Sequence, residues 1–197
     1  MKKIVFVNQS SGYLLTDVLD VYAKEYDEVA LIYGTIKENE RKLDARIKLD
    51  KICAYDRSSA IGRIKTWGKA AWQIYRKLKR DYKDYEIVYV TNPPMAYLCS
   101  LRLKNPFSVI VFDTYPDALS NIGIRKGNPL FNMWAGWNRK LFLKAKRVFT
   151  LSEEWLIGGH LYGQKQNNCC SLLFGQQHVC SYTQRGKSFC QRAWAGR

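Results

Sequence analysis

Short apolar runs alternate with longer stretches of helical periodicity through the first 154 residues of this 197-residue chain. Continuous runs of β-branched and aromatic residues, bounded by polar or turn-forming residues, predict strands that are buried on both faces. Alternation of such strands with helices predicts a parallel sheet covered by helices on both sides. Six strands are predicted, at Lys3 to Val7, Val29 to Tyr33, Ile47 to Ile52, Glu86 to Val90, Ser108 to Phe112 and Val148 to Leu151.

Three stretches between these strands carry apolar residues at helical spacing, so each is predicted to present one apolar stripe to the sheet. Ser58 and Ser59 are candidate N-caps of the second helix, and Pro94 favours the first turn of a short helix that runs to about Leu103. The predicted fold class is α/β, a Rossmann-like doubly wound parallel sheet. The stripes are Leu15, Val18, Leu19 and Tyr22, then Ile61, Ile64, Trp67, Ala71, Ile74 and Leu78, and finally Leu130, Trp134, Trp137, Leu141 and Ala145.

The composition changes sharply after Glu154. All 17 acidic residues precede this point, and residues 155–197 have no sustained period of 2 or 3.6. We therefore predict a Rossmann-like domain over residues 1–154 and an atypical basic tail rich in Cys, Gln and Gly over residues 155–197. A frameshifted reading of a longer gene, a genuine or disordered tail and a fusion scar remain alternative interpretations.

The tail also holds four of the six cysteines and both histidines. Their spacing fits neither a C-x-x-C nor an H-x-x-x-H pattern, so no metal site and no cofactor is expected. Without a secretion signal, reduced thiols are the default expectation. The residues in question are Cys169, Cys170, Cys180, Cys190, His160 and His178.

The formal charge of +15 predicts an anionic partner, which could be phospholipid, nucleic acid or a phosphorylated substrate. No apolar run of 18 residues and no signal-peptide pattern is found, so a cytoplasmic protein, peripheral to the inner face of the membrane, is expected. Lys65, Lys69, Trp72 and Arg76 fall along one outward stripe that suits anionic headgroups, although a merely solvated basic face is the alternative. Nucleic acid is not the expected partner, because no recognition-helix, RNP-like or zinc-finger pattern accompanies the charge.

Ligands of open parallel sheets bind beyond the carboxyl ends of the strands. This rule selects four loops, and the first of them could hold a phosphate near Gly12 by its backbone N–H groups. Only one glycine of a G-x-G-x-x-G pattern is present there, which argues against a nicotinamide or flavin enzyme. A turn without a ligand at Gly12 and a simple helix start at Asn92 are the alternatives. The loops cover residues 8–12, 91–94, 113–117 and 152–154.

The loop after the fifth strand carries two carboxylates, Asp113 and Asp117, with Tyr115 between them. Carboxylates at this position could bind sugar hydroxyls or stabilise the positive charge that develops during glycosyl transfer. The alternative for Asp113 is that it only caps the following turn.

Four segments together resemble the N-terminal domain of family 4 retaining glycosyltransferases, and the resemblance covers nearly all of residues 1–154. It implies a GT-B architecture, in which two Rossmann-like domains face each other across a cleft. The first domain then binds the acceptor and the second binds a nucleotide sugar, usually without a metal, to build surface glycans. The segments are Lys3 to Tyr13, Thr91 to Pro94, Phe112 to Asp117 and Ala145 to Glu154.

The resemblance also implies roles for individual residues. Gly12 would lie near the donor phosphates, while Asn92, Asp113 and Tyr115 would line the cleft on the acceptor side. Together with the loop analysis above, we therefore expect Ser11 and Gly12 at the donor phosphates, Asn92, Tyr115 and Asp117 as acceptor-binding residues, and Asp113 as the catalytic residue.

The chain departs from the family after Glu154, since members carry a Glu-x7-Glu motif in the second domain and no acidic residue follows here. We therefore expect a truncated, acceptor-binding half that is inactive alone and has a glycan or lipid-linked acceptor as its partner. A nucleotide sugar would be a partner only if a donor domain is supplied. The alternative is a non-catalytic accessory or remnant protein that binds anionic membrane or nucleic acid.

Overall fold

A computed structural model describes residues 1–37, 43–111, 128–150, 169–172, 179–182 and 188–191. The chain divides into two compact units, Met1–Phe107 and Ser108–Arg197. Each unit is a set of hydrogen-bonded strands with at least one long helix.

The first unit contains a parallel sheet built from β1 (Lys3–Ser11), β2 (Glu28–Ile36), β3 (Lys48–Lys51) and β4 (Glu86–Val90). The strand order is β3-β2-β1-β4, and every pairing among these four strands is parallel. β1 is central, with Val5 in register with Ala30 on one side and Ile87 on the other. Its apolar residues are buried, as expected for a strand covered on both faces.

Helices α1 (Tyr13–Glu25) and α2 (Ala60–Asp81) lie on opposite faces of this sheet. The ring of Phe6 packs edge-on against Tyr22 of α1, with 5.1 Å between the ring centroids. The Nε2 atom of Gln9 instead donates to the carbonyl of Thr66 in α2 at 3.3 Å. Since residues 6 and 9 differ by an odd number along a strand, their side chains project to opposite faces. The sheet is therefore doubly wound, as predicted.

Helix α2 begins where the sequence predicts, because the Ser59 hydroxyl accepts a hydrogen bond from the Gly62 N–H at 3.0 Å. Its buried face contains Ile74 and Leu78, but the predicted stripe is wrong at its start. Ile61 is 67% exposed and Ile64 is 54% exposed. Thr66 of α2 already lies against Gln9, two residues before the end of β1. The helix turns that precede Thr66 therefore lie at the end of the sheet, where fewer side chains cover them.

The segment after β4 contains Pro93 and Pro94 and leads into a 3-10 helix at Ala96–Leu101. This short helix is the one predicted from Pro94 to about Leu103, with tighter geometry and narrower bounds. It is fastened to the sheet by Ser100, whose buried hydroxyl donates to the Tyr89 hydroxyl at 3.0 Å.

β5 (Phe107–Val111) begins at the last residue of the first unit, and its other residues belong to the second. The second unit also contains α3 (Pro129–Lys144), β6 (Val148–Thr150), β7 (Cys169–Leu172), β8 (Val179–Tyr182) and β9 (Ser188–Gln191). β5, β6 and β7 pair in parallel, and β7, β8 and β9 form an antiparallel set. In α3 the buried residues include Phe131, Asn138 and Leu141, while the predicted stripe residues Trp134 and Trp137 are only half-buried.

The α/β Rossmann-like fold class is confirmed, since all six predicted strands and all three long helices are present. The main correction concerns β1, which continues to Ser11 because Asn8 and Ser10 pair with β2. Residues 8–11 thus belong to the strand, and only Gly12 separates it from α1. The strands β7 to β9 were not predicted, because each has four residues without a sustained alternation. The predicted domain boundary after residue 154 stays a prediction.

Candidate functional site

The carboxyl ends of β1 and β4 meet in the first unit. The Gln9 N–H donates to the Asn92 carbonyl at 2.7 Å, which continues the pairing of the two strands beyond Val90. On the other side of β1, the Lys37 N–H donates to the Ser11 carbonyl at 2.9 Å. Gly12 and Asn92 are therefore at the same edge of the sheet, where the sequence analysis expected them. Their roles in binding stay predictions.

Gly12 is the N-cap of α1 and has an extended backbone with φ −108° and ψ −178°. Any residue can adopt this conformation, so the glycine is not required by backbone geometry. A Cβ atom added to Gly12 would have no described atom within 4 Å. No side-chain hydrogen bond caps the helix at this residue. The start of α1 is thus open to a group approaching from outside, in particular an anion.

Asn92 carries a buried acceptor that the described residues leave unsatisfied. Its Oδ1 atom has no hydrogen-bond partner among them, and the same holds for Oε1 of the neighbouring Gln9. The Nε2 atom of Gln9, in contrast, donates to the Cys53 carbonyl at 3.2 Å as well as to Thr66. A buried acceptor without a donor is costly, so a partner for the Asn92 amide is expected at this edge.

The segment that joins β3 to α2 adds a basic side chain to the same edge. Arg57 donates from Nη2 to the Ser10 hydroxyl at 3.4 Å, and its guanidinium lies 5.3 Å from the ring centroid of Tyr55. Tyr55 in turn stacks on Trp67 of α2, with 5.8 Å between centroids and 13° between the ring planes. Sequence reasoning included Ser10 in the first selected loop without giving it a role, and it missed Arg57. It selected Ser11, which is 2% exposed and whose hydroxyl donates to the Asn8 carbonyl at 3.5 Å.

The start of α2 is held by Asp56 and Ser59. One Asp56 carboxylate oxygen accepts the Ser58 N–H at 2.8 Å, and hydrogen bonding to Ser58 lowers the pKa of this carboxyl. A Cβ atom on Gly62 would lie 2.3 Å from the other Asp56 oxygen, so the Asp56 side chain packs directly against the backbone of the first turn of α2. Arg63 donates from Nη2 to the Arg57 carbonyl at 3.4 Å and thereby joins the two segments.

Cys53 and Cys99 are free cysteines. Burial raises the pKa of the Cys53 thiol, and it raises the pKa of Cys99 to about 12. Both are therefore protonated at neutral pH, which does not favour a nucleophile or a metal ligand. Within the described part of the chain, no group of three or more His, Cys, Asp or Glu residues is placed to hold a metal ion.

Three of the predicted site residues, Asp113, Tyr115 and Asp117, lie outside the described residues. The same is true of the loop at residues 152–154. β5 ends at Val111, two residues before Asp113, so the strand that would carry this carboxylate is present.

The predicted surface stripe of α2 is exposed along its whole length, at Lys65, Lys69, Trp72 and Arg76. Trp72 is 57% exposed, and the Arg76 guanidinium lies 4.8 Å from its ring centroid. None of the three cations forms an ion pair with a described residue. No helix among the residues that the structure describes is long and apolar enough to cross a membrane.

Sequence comparison matches the chain to no protein-family model and to no curated protein. Solved structures with a similar fold include UGT2 from Phytolacca americana complexed with UDP-2fluoro-glucose and pterostilbene. Its TM-score is 0.51 at 11% identity, over 82% of this chain and 50% of that one. Apo UGT2 gives a TM-score of 0.50 at 10% identity, over 80% and 47% of the two chains.

CalG4, the calicheamicin glycosyltransferase, gives a TM-score of 0.48 at 9% identity, which is too low to support a statement about the fold. The chain spans about half the length of the glycosyltransferases it matches. Identities this low establish the fold alone. The chain has the Rossmann-like fold found in GT-B glycosyltransferases.

Proposed function

We propose that this chain is the acceptor-binding half of a glycosyltransferase, which transfers a sugar from a nucleotide sugar to a surface-glycan acceptor. It needs a donor-binding domain for activity and is inactive alone. Family 4 retaining glycosyltransferases are the proposed family. The fold shared with UGT2 supports this assignment, and so does the resemblance of residues 1–154 to the acceptor-side domain of that family.

The observation that carries the proposal is the junction of β1 and β4. The backbone hydrogen bond of 2.7 Å between the Gln9 N–H and the Asn92 carbonyl holds the two strand ends together. The open start of α1 at Gly12 and the unsatisfied Oδ1 acceptor of Asn92 therefore lie at the same edge. In open parallel sheets ligands bind at this edge. A sugar hydroxyl is a suitable donor for a neutral amide oxygen, because the pairing leaves no charge unbalanced in a buried position.

The remaining assignments follow the family pattern. Ser11 and Gly12 are proposed to lie near the donor phosphates, and Tyr115 and Asp117 to bind the acceptor together with Asn92. Asp113 is the proposed catalytic residue, as a carboxylate that stabilises developing positive charge at the sugar.

Titration with neutral alkyl glycosides tests the proposal. Octyl glucoside and octyl galactoside, below their micelle concentrations, should shift the amide NMR signals of Ser10, Gly12 and Asn92. Replacement of Gly12 by Val fills the open space at this edge and should weaken binding about tenfold, or ~1.4 kcal/mol. Gly68→Val is the matched control, because a Cβ on Gly68 also meets nothing within 4 Å. Equal binding by both variants would contradict the proposal.

We also propose that the chain attaches to the surface of an anionic membrane through the exposed stripe of α2. Lys65, Lys69 and Arg76 are exposed on the same face of α2 as the exposed ring of Trp72. Aromatic side chains prefer the interfacial layer, and basic side chains are attracted to anionic headgroups. Such attachment would bring the sheet edge close to lipid-linked acceptors.

A further inference from the structure

Two cysteines of the second unit occupy directly opposite positions in neighbouring strands. Cys180 of β8 is in register with Cys190 of β9, and the two strands are antiparallel. Opposed residues of an antiparallel pair have Cα atoms about 4.5 or 5.5 Å apart, depending on their place in the hydrogen-bond pattern. Disulfides join Cα atoms that are about 4.4–6.8 Å apart. Either spacing therefore allows a bridge without movement of the backbone.

The register favours this pair over any pairing with the two cysteines of β7. Cys170 is in register with the residue directly after Cys180, so it lies on the other face of the sheet. Cys169 is in register with the residue two positions after Cys180, and such diagonal positions are about 7–8 Å apart. Cα atoms more than about 7 Å apart are not bridged unless the backbone moves. Among these four cysteines, the register thus selects Cys180 and Cys190.

A covalent bond at this position would act on a weak part of the sheet. β8 and β9 have four residues each, and β9 is the last strand in the sheet order. A short pair of strands is marginally stable on its own. A disulfide between the strands restricts the unfolded chain and so favours the paired state. The oxidised chain is therefore expected to hold β9 on β8 more persistently than the reduced chain.

We propose that Cys180 and Cys190 form a disulfide that fixes β9 to β8 under oxidising conditions, with a low-molecular-weight disulfide as the oxidant. One cysteine thiolate attacks a sulfur of the oxidant, which forms a mixed disulfide and releases one thiolate of the oxidant. The other cysteine thiolate then attacks the protein sulfur of the mixed disulfide and releases the second. Two protein thiols are oxidised, and one oxidant disulfide is reduced to two thiols, which take up the two protons that the cysteines lose.

Oxidation of the full chain with glutathione disulfide, followed by peptide mapping, tests the proposal. Trypsin cleaves after Arg185, which lies between the two cysteines. Chymotrypsin cleaves after Phe174 and so separates Cys180 from the cysteines of β7. In the folded chain, the fragment with Cys190 should be linked to the fragment with Cys180 about tenfold more often than to the fragment from β7, because only that pair is in register.

The same oxidation in concentrated urea shows what the unfolded chain would do. Cys180 and Cys190 are 10 residues apart in sequence, and the cysteines of β7 are about twice as far from Cys190. Loop closure alone then favours the shorter pairing only roughly 1.5-fold over the two longer pairings together. An equal preference in the folded and the denatured chain would overturn the proposal, because closeness in sequence and not the register would then select the pair.

Single serine variants identify the partner of Cys190. Cys180→Ser should abolish the bridge to β8, whereas Cys170→Ser, the matched control on the other face, should leave its yield unchanged. Circular dichroism of both variants verifies that they fold alike. Efficient pairing of Cys190 with another cysteine in Cys180→Ser would overturn the assignment. Oxidised wild-type chains that carry only mixed disulfides with glutathione, or that are linked to one another, would overturn it as well, because the proposed bridge lies within one chain.

Discussion

Gly34 of β2 packs closely against the backbone of β1 on one side and of the segment after β3 on the other. A Cβ atom there would lie 2.6 Å from the Gln9 carbonyl oxygen and 2.7 Å from that of Cys53. Both atoms belong to backbone, so neither can move as a side chain would. A glycine at this position allows β1, β2 and the segment after β3 to approach closely.

Replacement of Gly34 by Ala should lower the free energy of unfolding by about 1–3 kcal/mol, because strands must separate to admit the methyl group. Urea denaturation followed by circular dichroism measures the change. Gly68→Ala is the control, since that glycine is exposed inside α2 with open space at its Cβ. It should stabilise the chain by about 0.5–1 kcal/mol, as alanine is the better helix former. A Gly34→Ala protein as stable as wild type would show that the close approach is not required.

Some site residues could be found from sequence and others could not. Gly12 and Asn92 lie in the segments that follow two predicted strands, and the carboxyl ends of parallel strands lie at one edge of the sheet. Arg57 follows no strand directly and is 47 residues from its partner Ser10. A long side chain in a connecting segment has many possible directions, so only the folded chain shows that it reaches β1.

At the scale of elements, α2 is buried along one face in its later turns and exposed in its first turns. Ile74 has no exposed surface, whereas Ile61 is 67% exposed on the same helix. Helical periodicity predicted both as core residues, because it reports the face of the helix and not the length of the sheet below it. The position and cap of α2 were predictable from sequence, and the extent of its burial was not.

Replacement of Ile74 by Ala should cost about 2–5 kcal/mol of stability, since it leaves a cavity between α2 and the sheet. The same substitution at Ile61 should change stability by about 0.5 kcal/mol or less, because an exposed side chain makes few contacts. Midpoints of thermal unfolding for the two variants measure the contrast. Similar losses at both positions would mean that Ile61 is covered in solution.

At the scale of the whole molecule, the net charge of +15 predicts an anionic partner but not where that partner binds. The structure shows where part of this charge is exposed, on the stripe of α2 around Trp72. Composition alone could not predict this, because basic residues elsewhere are engaged in ion pairs, such as Lys3 with Glu28 and Lys77 with Asp50.

Binding to vesicles that contain anionic lipid should depend on this stripe. Replacing Lys65, Lys69 and Arg76 by Gln should weaken binding by about 3 kcal/mol, at roughly 1 kcal/mol for each basic residue near the surface. Vesicle flotation at low and high salt measures the effect. A control of equal charge replaces three exposed lysines elsewhere by Gln, at Lys2, Lys24 and Lys104.

The control variant should bind vesicles nearly as well as wild type. Equal loss in both triple variants would indicate that net charge alone attracts the chain to the membrane. Tighter binding to duplex DNA than to vesicles at the same salt concentration would contradict membrane attachment and favour the nucleic-acid alternative.

The hydrogen bond between Gln9 and Asn92 joins residues that are far apart in the chain. During synthesis, β1 and the segment after β4 cannot pair at this edge until more than 80 residues after Gln9 have left the ribosome. Any compound that binds across them therefore recognises only the fully assembled first unit. It should stabilise that unit against heat in proportion to its affinity, so thermal-shift screening can discover acceptors without an assay of sugar transfer.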